Sequence, residues 1–472
     1  MKCLFVAAFT LLLLLSNAHA QPKNAVRQWI TTPDKQQLFS LQPAATPFSG
    51  KQGSGPVITV DERTRYQPVD GFGFALTGGS AQHIMRMTAK ARAALLQELF
   101  GTGSGKAGIS YLRVSIGASD LDDHVFSYDD LPAGATDTAL RHFSLGPDTA
   151  ALVPLLQQIL RISPSIKILA SPWSPPVWMK NNNDTRGGRL LEQYYPVYAR
   201  YFVQYLRAMA AQGIRIDAIT IQNEPLHPGN NPSLLLTAPE EAAFIAQHLG
   251  PVFAREGIKT KIVLYDHNAN RPDYPLFILD DARARPYVDG SGFHLYAGDI
   301  SALSVVHDAY PNKHLYFTEQ MVVDFNDSGR IETSKMRIAD PVARIIIGAM
   351  RNWSRNVLLW NLAADPQLRP YTDRGGCSVC QGALTIDGDS ITRNLAYYTV
   401  LHASALVQPG SVRIASNDLP GLPNVAFLSP QGKKILIVAN TGNVPQTFTI
   451  RYKNSFASIS LAAGAAGTYC WP

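Results

Sequence analysis

Apolar positions along the chain follow two rhythms. From residue 71 to about residue 406, short apolar runs alternate with longer stretches of helical period. Strands are predicted over residues 71–76, 110–116, 166–170, 216–222, 261–265, 290–295, 315–318 and 356–360. Helices are predicted over 81–100, 148–162, 193–211, 239–256, 342–354 and 393–406. Alternation of this kind predicts an α/β fold, a (β/α)8 barrel with long loops. An open doubly wound sheet does not need so many units, and no glycine-rich dinucleotide turn is present. After Gln408-Pro409-Gly410 the helical period disappears. Runs at 412–414, 425–427, 435–438 and 448–450 lie close together with turn residues between them. They predict a small antiparallel β-sandwich.

Residues 1–20 read as a signal peptide, with Lys2, an apolar run from Leu4 to Leu15 and the cleavage signal Ala18-His19-Ala20. Export to the periplasm or the extracellular space is the expectation, with no stable membrane insertion. Residues 21–56 show no long period and are expected to be an extended arm. Residues 57–68 begin with a strand, Val57–Val60, placed to join the sandwich and so tie both chain ends into one domain. The expected division is therefore barrel over 69–408 and sandwich over 409–472.

Composition adds little to the pattern. The 472 residues are 46% hydrophobic and 17% charged, with a formal net charge of +6 and no long basic run. Nucleic acid is not an expected partner. Cys3 leaves with the signal. In an oxidising compartment Cys377 and Cys380 are expected to form a local disulfide, since no second cysteine pair exists to complete a zinc site. Cys470 is left over.

The chemistry lies where the predicted strands end. The fourth runs into Gln222-Asn223-Glu224-Pro225, and Pro225 stops the ladder because it has no N–H. The seventh ends in Thr318-Glu319. Arg113 lies within the second, Trp173 and Trp178 follow the third, His294 and Tyr296 end the sixth, and Trp360 ends the eighth. In a (β/α)8 barrel these ends form the active-site face. Two glutamates there, with aromatic and hydrogen-bonding neighbours, suit the cleavage of a glycosidic bond. A buried Arg113 calls for a carboxylate partner. Trp178, and the tyrosines and phenylalanine between 194 and 205, read as packing. The run Gly101-Thr102-Gly103-Ser104-Gly105-Lys106 has the wrong glycine spacing for a phosphate loop and reads as a flexible connection.

The motifs Asp70-Gly71-Phe72-Gly73, Tyr111-Leu112-Arg113-Val114, Ala170-Ser171-Pro172-Trp173, Gln222-Asn223-Glu224-Pro225, Phe317-Thr318-Glu319 and Trp360-Asn361-Leu362 resemble glycoside hydrolase family 30, the glucosylceramidase-like retaining β-glycosidases. The resemblance implies a barrel with a β-sandwich built from both chain ends. It implies Glu224 as acid/base and Glu319 as nucleophile. Asn223, Trp173, Trp360, Tyr296, His294 and Arg113 become the substrate-site residues, the last three also orienting Glu319 and holding it ionised. A carbohydrate or glycolipid substrate is implied, and no cofactor or metal. A glucosylceramidase-like specificity is the expectation. The alternatives are β-1,6-glucanase, β-xylosidase, β-fucosidase or β-1,6-galactan hydrolysis within the family, or carbohydrate binding without catalysis. Two places depart from the glucosylceramidase pattern: Gly78 stands after Thr77 where an aspartate is usual, and the loop 373–380 differs.

Overall fold

The computed structural model describes residues 24–472. The expected signal peptide lies outside the described residues. No helix among those described is long and apolar enough to cross a membrane.

Eight parallel strands close into a barrel: β3 (Gly71–Ala75), β4 (Tyr111–Ser115), β5 (Lys167–Ser171), β6 (Ala218–Thr220), β7 (Lys261–Ala269), β8 (Val288–Gly298), β9 (His314–Glu319) and β10 (Ser354–Leu359), with β10 returning to β3. Its interior is filled by Tyr111, Leu169, Ala218, Val263, Tyr316 and Leu358. The outward residues, such as Phe72, Leu112, Ile168 and Ile219, pack under the helices in a second, larger core. Strand β3 alternates Gly with Phe for a steric reason. A Cβ on Gly73 would lie 1.8 Å from the Tyr111 carbonyl oxygen, so no side chain fits on that face.

The second domain is a ten-stranded sheet folded over its own core of Val26, Ile58, Leu436, Phe448 and Trp471. Both chain ends build it. Strand β2 (Val57–Pro68) pairs antiparallel with β11 (Val412–Ser416) and parallel with β14 (Gln446–Tyr452).

Three expectations are corrected. The stretch expected as an extended arm carries sheet structure: β1 (Ala25–Thr31) pairs with the C-terminal strand β16 (Ala466–Trp471), Arg27 opposite Cys470. Its Val26 and Ile30 are buried, but a single seven-residue strand among Pro and Gln leaves a weak period. The single helix expected over 81–100 is two, Gly78–Arg86 and Ala89–Phe100, because Thr88 caps the second by accepting from the Ala91 N–H. Strand β6 is shorter than expected and ends at Thr220, so Gln222, Asn223 and Glu224 leave the ladder.

Candidate active site

Arg113 on β4 organises the carboxyl-end face. Its guanidinium is fully buried and donates to three acceptors: Glu319 Oε2 at 2.6 Å, Asn223 Oδ1 at 2.7 Å and Asp266 Oδ2 at 2.8 Å. Each acceptor comes from a different strand end, β9, β6 and β7, so one rigid fork fixes three loops. Tyr296, beyond the middle of β8, donates to the other oxygen of Glu319 at 3.0 Å and is itself held by the Met321 N–H.

Glu224 sits on a backbone with φ of 46°, and Tyr265 and Asp266 across from it have φ of 74° and 57°. Three non-glycine residues in the left-handed region are costly, and such positions cluster at functional sites. A hydrogen bond from Glu224 N–H to the Asp266 carbonyl, 3.1 Å, joins the two turns. The turn aims Glu224 at His294, whose Nδ1 lies 3.2 Å from Oε1, with Asn230 Nδ2 at 3.4 Å from Oε2. Glu224, His294 and Glu319 each place one polar atom within 4.8 Å of the others.

Arg113 and His294 are fully buried, and both contact the carboxylates of the site. His294 lies nearer to Glu224 and to Asp266, 3.2 Å and 3.0 Å, than to Glu319 at 3.8 Å, so it orients Glu224 first. Asn223 is held through its oxygen by Arg113, which leaves its amide nitrogen for a ligand. Trp173 and Trp360 lie together with ring centroids 5.4 Å apart, and the Trp173 indole N–H has no protein partner. Trp178 faces outward, donating to the Asp129 carbonyl, and packs on Tyr194. Cys377 and Cys380 are joined by a disulfide that packs against the Trp173–Trp360 pair.

Three residues escaped the sequence reading. Asp266 is the hub of the floor, accepting from Arg113, Ser171, Thr220 and His294. His267 beside it lies 3.8 Å from Glu224. Asp266 directly follows an apolar run and His267 comes next, and that was the available signal. Asp120, on the loop after β4, is buried, and among the described residues no side chain forms an ion pair with it. The space beside Gly78 is occupied by the Asp122 carboxyl, 1.6 Å from where a Cβ would stand, which explains why no side chain is found there.

Charge in this cavity is unbalanced. Burial would raise Asp266, but the Arg113 charge and the His294 hydrogen bond hold it well below the usual carboxylate range. Burial would lower His294, yet the carboxylates of Glu319, Asp266 and Glu224 raise it to about 9. Burial and the charges of Glu319 and Glu224 push Asp120 well up. Glu319 is raised by burial and by Glu224, against His294 and Arg113. Burial also acts on Glu224, but His294, His267 and His227 bring it below the ordinary value. The two glutamates therefore titrate as a pair.

A (β/α)8 barrel with two close glutamates, an orienting arginine and paired tryptophans at its carboxyl ends defines a glycoside hydrolase. The chain belongs to glycosyl hydrolase family 30: the family's TIM-barrel domain matches residues 69–382 and its β-sandwich domain residues 410–469. Endo-1,6-beta-D-glucanases of Aspergillus fumigatus and Neurospora crassa are 32% and 33% identical to it, over 85% and 93% of this chain and 86% and 92% of theirs. The lysosomal acid glucosylceramidase of Mus musculus is 29% identical over 85% of this chain and 80% of its own. A solved endo-beta1,6-glucanase superposes with a TM-score of 0.86 at 32% identity, covering 95% of this chain and 99% of its own.

Proposed function

We propose that the protein hydrolyses β-1,6-linked glucan with retention of configuration, Glu319 acting as nucleophile and Glu224 as acid/base. The mechanism rests on one observation: oxygens of the two carboxyl groups approach within 4.8 Å. Retaining enzymes hold their carboxyls about 5–5.5 Å apart, whereas inverting ones leave about 6.5–9.5 Å for a water. The substrate rests on the likeness along most of the chain to endo-1,6-β-glucanases, which replaces the glucosylceramidase-like specificity expected from the motifs.

Donors on both oxygens of Glu319 suit a nucleophile that must carry charge. Glu224 needs a proton at the start of the cycle. His294 supplies it: the proton on Nδ1 lies along the 3.2 Å contact to Oε1, and its transfer leaves a neutral imidazole still donating from Nε2 to Asp266. Closing the site over a sugar excludes water and favours that neutral pair over the charged one. Glu224 then protonates the leaving oxygen, Glu319 attacks the anomeric carbon, and Glu224 later takes a proton from the incoming water. Asn223 and Trp173 offer free N–H donors to the sugar, and Asp120 offers an acceptor.

The test compares a linear β-1,6-glucan, a β-1,3-glucan and glucosylceramide as substrates, with the first anomer read by proton NMR. Oligosaccharides from the β-1,6-glucan, released first as the β-anomer, are expected. Turnover confined to glucosylceramide would overturn the substrate, and an α-anomer first would overturn the mechanism.

A further inference from the structure

Away from the glutamates, the long loop between β4 and the helix Leu152–Ile162 gathers three metal-ligating side chains. Asp129, Asp137 and His142 each offer one donor atom, and these lie within 4.8 Å of one another. Asp129 is only 1% exposed, and neither of its carboxylate oxygens has a hydrogen-bond partner. Burial removes water from a carboxylate, and here nothing replaces it. Among the described residues no Lys or Arg pairs with Asp129 or Asp137. Arg200, which reaches this loop, donates to the Thr138 carbonyl instead, at 2.7 Å. Asp137 is already oriented, accepting the backbone N–H groups of Ala139 and His142 at 3.2 Å and 2.8 Å. The His142 ring lies 2.9 Å from Asp137, and its side chain is 68% exposed, so the cluster opens to solvent on that side.

We propose that Asp129, Asp137 and His142 bind a single zinc-like divalent cation. Two carboxylates and an imidazole suit zinc, whereas calcium takes oxygen ligands alone. Ligand bonds of about 2.0–2.2 Å place donors of a tetrahedral site ~3.4 Å apart, so the cluster closes by roughly an ångström to reach it. His142 already lies 2.9 Å from Asp137, so the closure is between Asp129 and that pair, and water completes the fourth position. The cation neutralises Asp129 and ties it to the Asp137–His142 part of the loop. That loop also carries Asp120, and the Asp129 carbonyl holds the Trp178 indole at 2.9 Å. The ion thus braces one wall of the sugar site from outside and takes no part in bond cleavage.

Glu224, His294 and Glu319 form a second cluster able to take a cation, so the test is made in Glu319→Gln protein stripped with a chelator. Calorimetric titration with zinc chloride is expected to show one ion per chain, and zinc at about 100 times Kd to raise Tm by roughly 5 °C. Calcium chloride should do neither. Replacing His142 with Ala removes only an exposed side chain, so the variant folds, and it should weaken zinc binding at least tenfold. Asp129→Asn should abolish it. Absence of zinc binding, undiminished binding in His142→Ala, or equal binding of calcium would overturn the proposal. So would an Asp129→Asn protein that gains stability while still binding zinc.

Discussion

At the amino ends of the barrel strands, Asp70 lies between Lys167 at 2.6 Å and Arg355 at 2.9 Å, and Asp289 between His314, Lys261 and Tyr316. At the carboxyl ends, Glu224, Asp266 and Glu319 gather around Arg113 and His294, and Asp120 feels the charges of both glutamates with no cation of its own among the described residues. The barrel is the same and the residue types are the same. Below, each carboxylate has its own cations, and Asp289 is held well under its ordinary value, burial being overcome by His314, Tyr316 and Lys261. Above, carboxylates face one another, and Asp120 and Glu319 are pushed up. Paired charge serves the fold, and unpaired charge is a stored capacity for chemistry. The left-handed backbone at Glu224, Tyr265 and Asp266 lies at the upper end as well, so strain and charge frustration coincide.

The sharpest way to break this comparison is to remove the upper glutamates. Glu319→Ala should lose activity by more than the roughly 10²–10⁴-fold usual for a general acid or base, whatever the leaving group. Glu224→Ala should lose within that range on a glucan and much less on a dinitrophenyl glycoside, whose leaving group needs no proton. Azide should restore turnover of Glu224→Ala and yield the β-azide. An α-azide from that variant would show the two roles reversed. Next in size is Asp120→Asn. If the carboxylate accepts from sugar hydroxyls, kcat/KM should fall roughly 10–100-fold, as for a hydrogen bond to a charged group. Stability should hold or rise, because burial and the neighbouring carboxylates already penalise an ionised Asp120 and Asn cannot ionise. A fall in Tm with unchanged kcat/KM would make Asp120 structural and blur the distinction between the two ends.

The upper end was the more legible in the sequence, for a physical reason. Glu319 ends a strand and Glu224 follows one within a few residues, so strand periodicity places both near the barrel rim. Asp266 follows an apolar run too, but a positive φ at Tyr265 carries the strand past the point where its apolar residues stop. Asp120 lies far along a loop, where no period exists to locate it. The dual contact of His294 depends on the separation of β6, β7 and β8 around the barrel, which sequence spacing does not encode. The ion pairs of the lower end were invisible for the same reason: Asp70 and Arg355 are 285 positions apart. The β-sandwich was seen in outline from its apolar runs, and β1 was missed because its partner is the other end of the chain.

A lower-end change sharpens the comparison from the other side. Asp289→Asn removes the charge shared by Lys261, His314 and Tyr316, turns one of its two accepting oxygens into a donor, and should cost about 1–3 kcal/mol in urea unfolding at pH 7. Activity per folded molecule should not change. The folded carboxyl titrates below the unfolded one, so its contribution is present above about pH 4 and is lost as pH falls further. The stability gap between variant and parent should therefore close in acid. A loss of kcat in this variant would mean the two ends are not independent.

The smallest effect separates burial from crowding. Glu241 is 1% exposed beside β7 and accepts from the Tyr265 N–H at 3.2 Å and the Tyr274 hydroxyl at 2.8 Å; burial is the largest influence on it, and the Asp266 charge adds only after those hydrogen bonds. Burial pushes it to about 7, and its two neutral donors do not offset that. The folded form thus holds a proton that the unfolded chain releases near 4.5. Between those values the native state binds more protons, so stability falls as pH rises, at most by about 1.4 kcal/mol per pH unit for one group. Glu241→Gln copies the protonated side chain: its oxygen still accepts from Tyr265, and its amide can donate to the Tyr274 oxygen. Variant and parent should be equally stable below pH 4.5 and diverge above it, the variant leading by about 1 kcal/mol near pH 5.5 and by a constant margin beyond pH 7. Parallel stability curves from pH 4 to 8 would show that burial alone does not raise a carboxyl in this fold. The rise of Asp120 and Glu319 would then belong to their carboxylate neighbours alone.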